Sequence, residues 1–182
     1  MPRGTLQRLL VTCLWVGVGV AAAADGGRPS PTTRQDLIGA WRLLSIEVNG
    51  PAGRAMDPFY GSGTQGLLIY DLSGWFSVQF MGAARPALDV PASRPEPLPD
   101  GRAGLKAAAL DSYYAYYGTW EFDPATSTVI HHAKGALYPG ETRATYRQRV
   151  DVVGSRMTFT RSQGAADHPT TQTKAWERVL RP

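Results

Sequence analysis

Along residues 40–48, Trp41, Leu43, Ser45 and Glu47 alternate with Arg42, Leu44, Ile46 and Val48. A period of two belongs to a β-strand with two distinct faces, so a first strand is expected there, led in by a short helical turn at 36–39. Asn49-Gly50-Pro51 then supplies turn chemistry. Strands are next expected at 65–70 and 75–81, joined by Asp71-Leu72-Ser73-Gly74 as a hairpin. Five prolines at 86, 91, 95, 97 and 99 remove backbone donors and make 83–101 a surface loop. The alanine-rich stretch 102–114 is the one good helix former, with Leu105, Ala108, Ala109 and Leu110 as its expected buried side. Further strands follow at 116–122, 128–134, 143–150, 156–162 and 171–180.

Eight short strands linked mainly by hairpin-length turns predict an all-β, antiparallel up-and-down fold with one short helix between strands three and four. A sheet of that size with one apolar face must be covered or close on itself. Closure at eight strands gives an interior that side chains fill, or that holds one small ligand. A β-sandwich is the competing architecture.

The first 24 residues follow another pattern. Arg3 and Arg8 precede an uncharged apolar run from Leu9 to Val20, and Ala22-Ala23-Ala24 offers small residues for cleavage. This predicts a signal peptide over 1–24, a flexible tether over 25–35 and a β domain over 36–182. The apolar run is shorter than the roughly 20 residues that span a bilayer, so no stable membrane insertion is expected. Leu10-Val11-Thr12-Cys13 only loosely mimics a lipobox, because the apolar run lies mostly after the cysteine. Export to the periplasm or beyond follows as an expectation.

Composition changes the picture in three places. The 182 residues hold one cysteine, which lies in the leader, so internal disulfides and thiol catalysis are excluded from the domain. The net charge of +4 also rests partly on the leader. Without it, 17 basic residues face 15 acidic ones with no basic run, and no nucleic-acid partner is expected. Glycine (20) and proline (14) are abundant, as turns and one proline-rich loop require.

Several stretches together resemble bacterial lipocalin-like domain proteins. They are Leu37 to Ser45 with Gly39-Ala40-Trp41-Arg42-Leu43, then Gln65 to Tyr70, Ser73-Gly74, and Tyr113 to Gly118 with Thr119-Trp120-Glu121. The strand from Thr128 to Gly135 and the ending Ala175-Trp176-Glu177-Arg178 complete the set. The resemblance implies a small barrel that binds a small hydrophobic or amphipathic molecule. It brings no catalytic motif, cofactor or metal.

The candidate chemistry is sparse. His131 and His132 are strand neighbours and must point to opposite faces, so they cannot share a metal. One of them is expected inside, as a hydrogen-bonded core group or as a ligand contact. Tyr113, Tyr114, Tyr116 and Tyr117 suit either a packed barrel end or a pocket. Arg143, Thr145, Arg147 and Arg149 share one face, which is a solvated exterior unless it lines an acid-binding cavity. Trp41 is expected to plug the barrel bottom. Tyr70, Gln79, Tyr117, Glu121, His131 and His132 are the expected ligand-binding residues.

Three functions stay open: a carrier or sensor for a small molecule, an isomerase or cyclase using an interior His or Glu as acid–base group, and a filled barrel that binds nothing. No Gly-x-Ser-x-Gly or phosphate-binding loop is present.

Overall fold

The computed structural model describes residues 31–57, 60–87, 103–163 and 169–180. The leader, tether residues 25–30, most of the proline loop and His168 lie outside them. The strands are β1 (Gly39–Gly50), β2 (Gly53–Met56), β3 (Gln65–Tyr70), β4 (Trp75–Met81) and β5 (Tyr113–Asp123). They continue as β6 (Thr128–Ala136), β7 (Thr145–Val153), β8 (Arg156–Gln163) and β9 (Thr170–Arg178). Helix α1 (Arg34–Leu37) precedes β1, and α2 (Ala103–Asp111) lies between β4 and β5.

Every pairing is antiparallel, in the order β2-β1-β3-β4-β5-β6-β7-β8-β9, and β9 returns to β1. Eight strands therefore close into an up-and-down barrel. The ninth, β2, hangs outside the ring on the overhang of β1, from Glu47↔Met56 to Gly50↔Gly53. Because of it, the helix expected between the third and fourth strands stands between the fourth and fifth. No periodic pattern announces β2: all four of its residues are exposed. It forms because the turn after Gly50 folds the chain back onto free donors and acceptors, with Arg54 paired to Glu47.

Two β-bulges decide which residues enter the core. The first falls between Leu43 and Ser45 in the β1–β9 register. Strict alternation would carry Ser45 inward after Trp41 and Leu43; the extra residue hands that place to Ile46, which is buried. The second falls opposite Tyr117/Gly118, where β6 carries one more residue than β5. There a Cβ on Gly118 would lie 2.0 Å from the His132 carbonyl oxygen, so only glycine permits the approach.

The sequence expectations need three further corrections. In α2 only Ala109 is buried, while Leu105 and Leu110 are each 45% exposed. They are five residues apart, which on a helix puts them on different faces. The sixth expected strand begins at Thr145, because Arg143 takes φ 83° in the turn before it. The helix stops at Asp111, short of the expected 114, and the tyrosine run lies wholly in β5.

The connections sort by length to opposite ends. Short turns join β3 to β4, β5 to β6 and β7 to β8, and α1 sits at that end. There Trp41 is fully buried and donates from Nε1 to the Leu37 carbonyl (2.8 Å). The Arg178 guanidinium lies 4.1 Å from the Trp41 ring centroid and donates to the carbonyls of Ile38 (2.7 Å) and Asp36. This seals the floor, as expected of Trp41, by a cation–π stack that also ties α1 to the barrel. Among the described residues no helix is long and apolar enough to cross a membrane.

Candidate ligand-binding site

Above the floor the inward positions of the strands form one continuous apolar layer. Leu68, Phe76, Val78, Trp120, Val129, Val150, Met157, Phe159 and Trp176 are all buried in it. His131 sits in the middle, 1% exposed. Its parity explains why: Val129, His131 and Ala133 alternate inward on β6, while His132 points out. The His131 ring stacks on Phe76, with centroids 4.0 Å apart. Tyr70 Oη lies 2.5 Å from Nε2 and Tyr116 Oη 3.0 Å from Nδ1. A neutral imidazole has one donor and one acceptor, so it fits between two phenols with every polar atom used. Burial pushes the imidazole down to about 3, with smaller contributions from Lys174 and His132. His131 is therefore neutral and walled in.

Past this layer the barrel opens. A cavity of about 400 Å³ occupies the mouth, at the end where the long connections gather. Phe80, Tyr60, Tyr114, Tyr116 and Tyr146 give it aromatic walls. Its polar groups are Lys174, Gln148, Gln172, Asp57, Glu141 and Arg161. Small-molecule sites commonly measure roughly 300–1,000 Å³ with a few convergent polar groups, and the mouth fits that description.

Charges in the mouth are held apart by neutral partners. Lys174 Nζ donates to Gln148 Oε1 (3.3 Å). Gln172 Nε2 donates to Asp57 Oδ2 (2.6 Å), and Tyr114 Oη donates to Glu141 Oε2 (2.5 Å). Burial, with Arg161 adding repulsion, brings the Lys174 ammonium down to about 8. Desolvation raises the Tyr60, Tyr114 and Tyr116 phenols, so all three stay protonated donors.

The six expected site residues divide. Tyr70 and His131 are interior but lie beneath the cavity, in the packed layer. Gln79, Tyr117 and Glu121, expected as interior ligand contacts, face outward instead, and of the histidine pair it is His131 that turns inward and His132 outward. Gln79 hydrogen-bonds Ser77 Oγ (3.1 Å) on the outer face of β4. It borders a concavity of about 640 Å³ beside Arg42 and Leu67, which is an open groove on the sheet exterior with no buried polar group. Tyr117 is 51% exposed. His132 Nε2 lies 3.4 Å from Glu121 Oε1 on the surface. The reason is parity: Tyr116, Gly118 and Trp120 take the inward places of β5, so Tyr117 and Glu121 cannot. Thr145, Arg147 and Arg149 are exposed, as a solvated face requires.

The mouth residues Lys174, Gln148, Arg161 and Asp57 were not foreseen. Lys174 had a usable signal: on β9 it shares parity with Trp176, a core residue by type. Arg161 likewise shares parity with Met157 and Phe159. Asp57 lies after β2 and had none. Among the described residues no cluster of three or more His, Cys, Asp or Glu side chains could hold a metal ion.

No curated protein matches the chain. A family model described as the lipocalin-like domain matches residues 38–179, from the floor of the barrel through all its strands. With a closed eight-stranded barrel, a tryptophan–arginine floor and a cavity at the opposite end, the chain belongs to the lipocalin-like domain family.

Proposed function

We propose that this protein binds a small amphipathic molecule in the mouth of its barrel. The apolar body lies against Phe80, Tyr60, Tyr114 and Tyr116, and the polar end meets Lys174 and Gln148. The observation that carries this reading is the abrupt change inside the barrel, from a filled apolar layer to a 400 Å³ cavity with aromatic walls and convergent polar groups. A wholly apolar ligand fits less well, because it would strip water from Asp57, Gln148, Gln172 and Lys174 without replacing the hydrogen bonds.

Binding is favoured over acid–base catalysis by the same geometry. His131 is enclosed by Tyr70, Phe76 and Tyr116, and Glu121 is on the outer surface. We also propose that the domain works outside the cytoplasm, supported by the charged start, apolar run and triple alanine of residues 1–24. N-terminal sequencing of the exported protein should begin at Asp25, and an uncleaved chain counts against export.

Native mass spectrometry for co-purifying small molecules, followed by fluorescence titration with amphipathic probes, tests the binding reading. Replacing Phe80 by Ala should weaken binding about tenfold or more, since a flat apolar wall is lost. Replacing the exposed Tyr117 by Ser should leave it unchanged. Equal effects from both, or no binding by the intact protein, refute the mouth as the site.

A further inference from the structure

We propose that Lys174 captures carbonyl compounds: its amine condenses with a small aldehyde held in the barrel mouth, forming a reversible imine. This rests on reading the mouth as a small-molecule site and names the class of ligand it takes.

The chain has three lysines, Lys106, Lys134 and Lys174. Lys106 and Lys134 are exposed, and only Lys174 lines the cavity. Its Nζ meets a neutral carbonyl, that of Gln148, and forms no ion pair with any described carboxylate. The two carboxyl groups of the cavity are engaged by Gln172 and Tyr114. The amine is thus positioned without being locked into a salt bridge. Phe80 lies beside it, with its ring centroid 5.8 Å from Nζ, and supplies a wall for a flat conjugated or aromatic aldehyde. The shift of the ammonium to about 8 agrees with this placement, since more of it is free amine near neutrality than in an exposed lysine.

The charge balance of the mouth also favours a neutral carbonyl over an acid. Lys174 and Arg161 are matched by Asp57 and Glu141. A carboxylate ligand would gain the cations and meet two like charges, whereas an aldehyde meets no repulsion.

In the reaction the free amine nitrogen attacks the carbonyl carbon. The C–N bond forms, and the carbonyl π electrons move to oxygen, which takes up a proton. The C–O bond then breaks, and the oxygen leaves with both former amine hydrogens as one water molecule, leaving C=N. Solvent in the open mouth exchanges the protons. Hydrolysis reverses each step, and no oxidant or reductant takes part.

The test uses the intact protein with benzaldehyde and sodium cyanoborohydride, which reduces an imine to a stable amine. Peptide mapping should place the benzyl group on Lys174 at least about tenfold faster than on Lys106 or Lys134. Lys174→Arg should remove that fast labelling and keep the charge; mapping of the unaltered protein stands whether or not this variant folds. Labelling spread evenly over the lysines, or absent from Lys174, overturns the proposal. N-phenyl-1-naphthylamine, which is uncharged and has no carbonyl, separates the two readings. If it binds in the mouth while Lys174 stays unlabelled, imine capture fails and ligand binding stands. If neither occurs, both fail.

Discussion

Acidification should destabilise the native state through His131 before it acts through Asp36, Asp71 or Asp123. The imidazole is 1% exposed, stacked on Phe76 and held between the Tyr70 and Tyr116 phenols. Charging it would convert its one acceptor nitrogen into a donor, so a phenol would have to turn and the charge would lack a counter-ion in the packed layer. Its folded value of about 3 lies below the 6.5 of an imidazole in the unfolded chain. Between those values the unfolded chain binds the extra proton and the folded chain does not. Stability therefore falls as pH falls, by up to about 1.4 kcal/mol per unit. From about pH 7 to about pH 4.5 the integrated loss is about 2–3 kcal/mol. These carboxyl groups act lower: Asp36, Asp71 and Asp123 are held below 3.8 by hydrogen bonds from Thr33, Ser73 and Thr126, so their contribution is lost as pH falls beneath that value. Urea denaturation followed by tryptophan fluorescence at a series of pH values measures the slope. His131→Gln, which keeps a donor and an acceptor but cannot titrate, should flatten it. A wild-type profile that is flat across this window, or a variant that keeps the slope, refutes the reasoning. So does an NMR titration in which the His131 ring protonates near its ordinary value.

Other changes have defined outcomes. Arg178→Met removes the stack on Trp41 and the donors to Ile38 and Asp36, and should lower stability by about 2–4 kcal/mol in chemical denaturation. Arg178→Lys should recover little, because one ammonium cannot reproduce the planar fork. Gly118→Ala places a methyl 2.0 Å from the His132 carbonyl oxygen and should cost about 3 kcal/mol or more, or prevent folding, as seen by circular dichroism. Leu110→Gln, on an exposed face of α2, should shift the unfolding free energy by no more than about 0.5 kcal/mol.

The β3–β4 hairpin was fully legible, because Gln65 to Tyr70 and Trp75 to Met81 alternate in phase around a glycine turn. The tryptophan plug of the floor was legible from Gly39-Ala40-Trp41, but the Arg178 guanidinium stacked on it was not, because that contact joins two ends of the chain. Bulges were not: nothing local says that Leu44 is the extra residue, since the mismatch exists only relative to β9. Each unforeseen bulge makes alternation unreliable beyond it, which is how Ile46 displaced Ser45. The site was misread for a different reason. Glu121 has suggestive chemistry but the wrong parity for the interior, and chemistry alone leaves the choice between His131 and His132 open. Counting from Trp120 puts Glu121 outside, and counting from Val129 puts His131 inside and His132 outside. The same counting from Trp176 finds Lys174. The helix was foreseen from alanine content, but Leu105 and Leu110 lack the three- or four-residue spacing that would give it a buried face.

The sealed floor makes this barrel a cup and not a pipe. With Trp41 and Arg178 closing one end and the apolar layer solid above them, a ligand bound in the mouth as proposed must leave by the way it entered. A cavity of 400 Å³ grips only the first portion of a long molecule, and any remaining tail projects past the rim into solvent. Recognition then depends on the head of the ligand and tolerates variation in its length. Compounds sharing one end group should compete for the cup on nearly equal terms, whatever trails behind them.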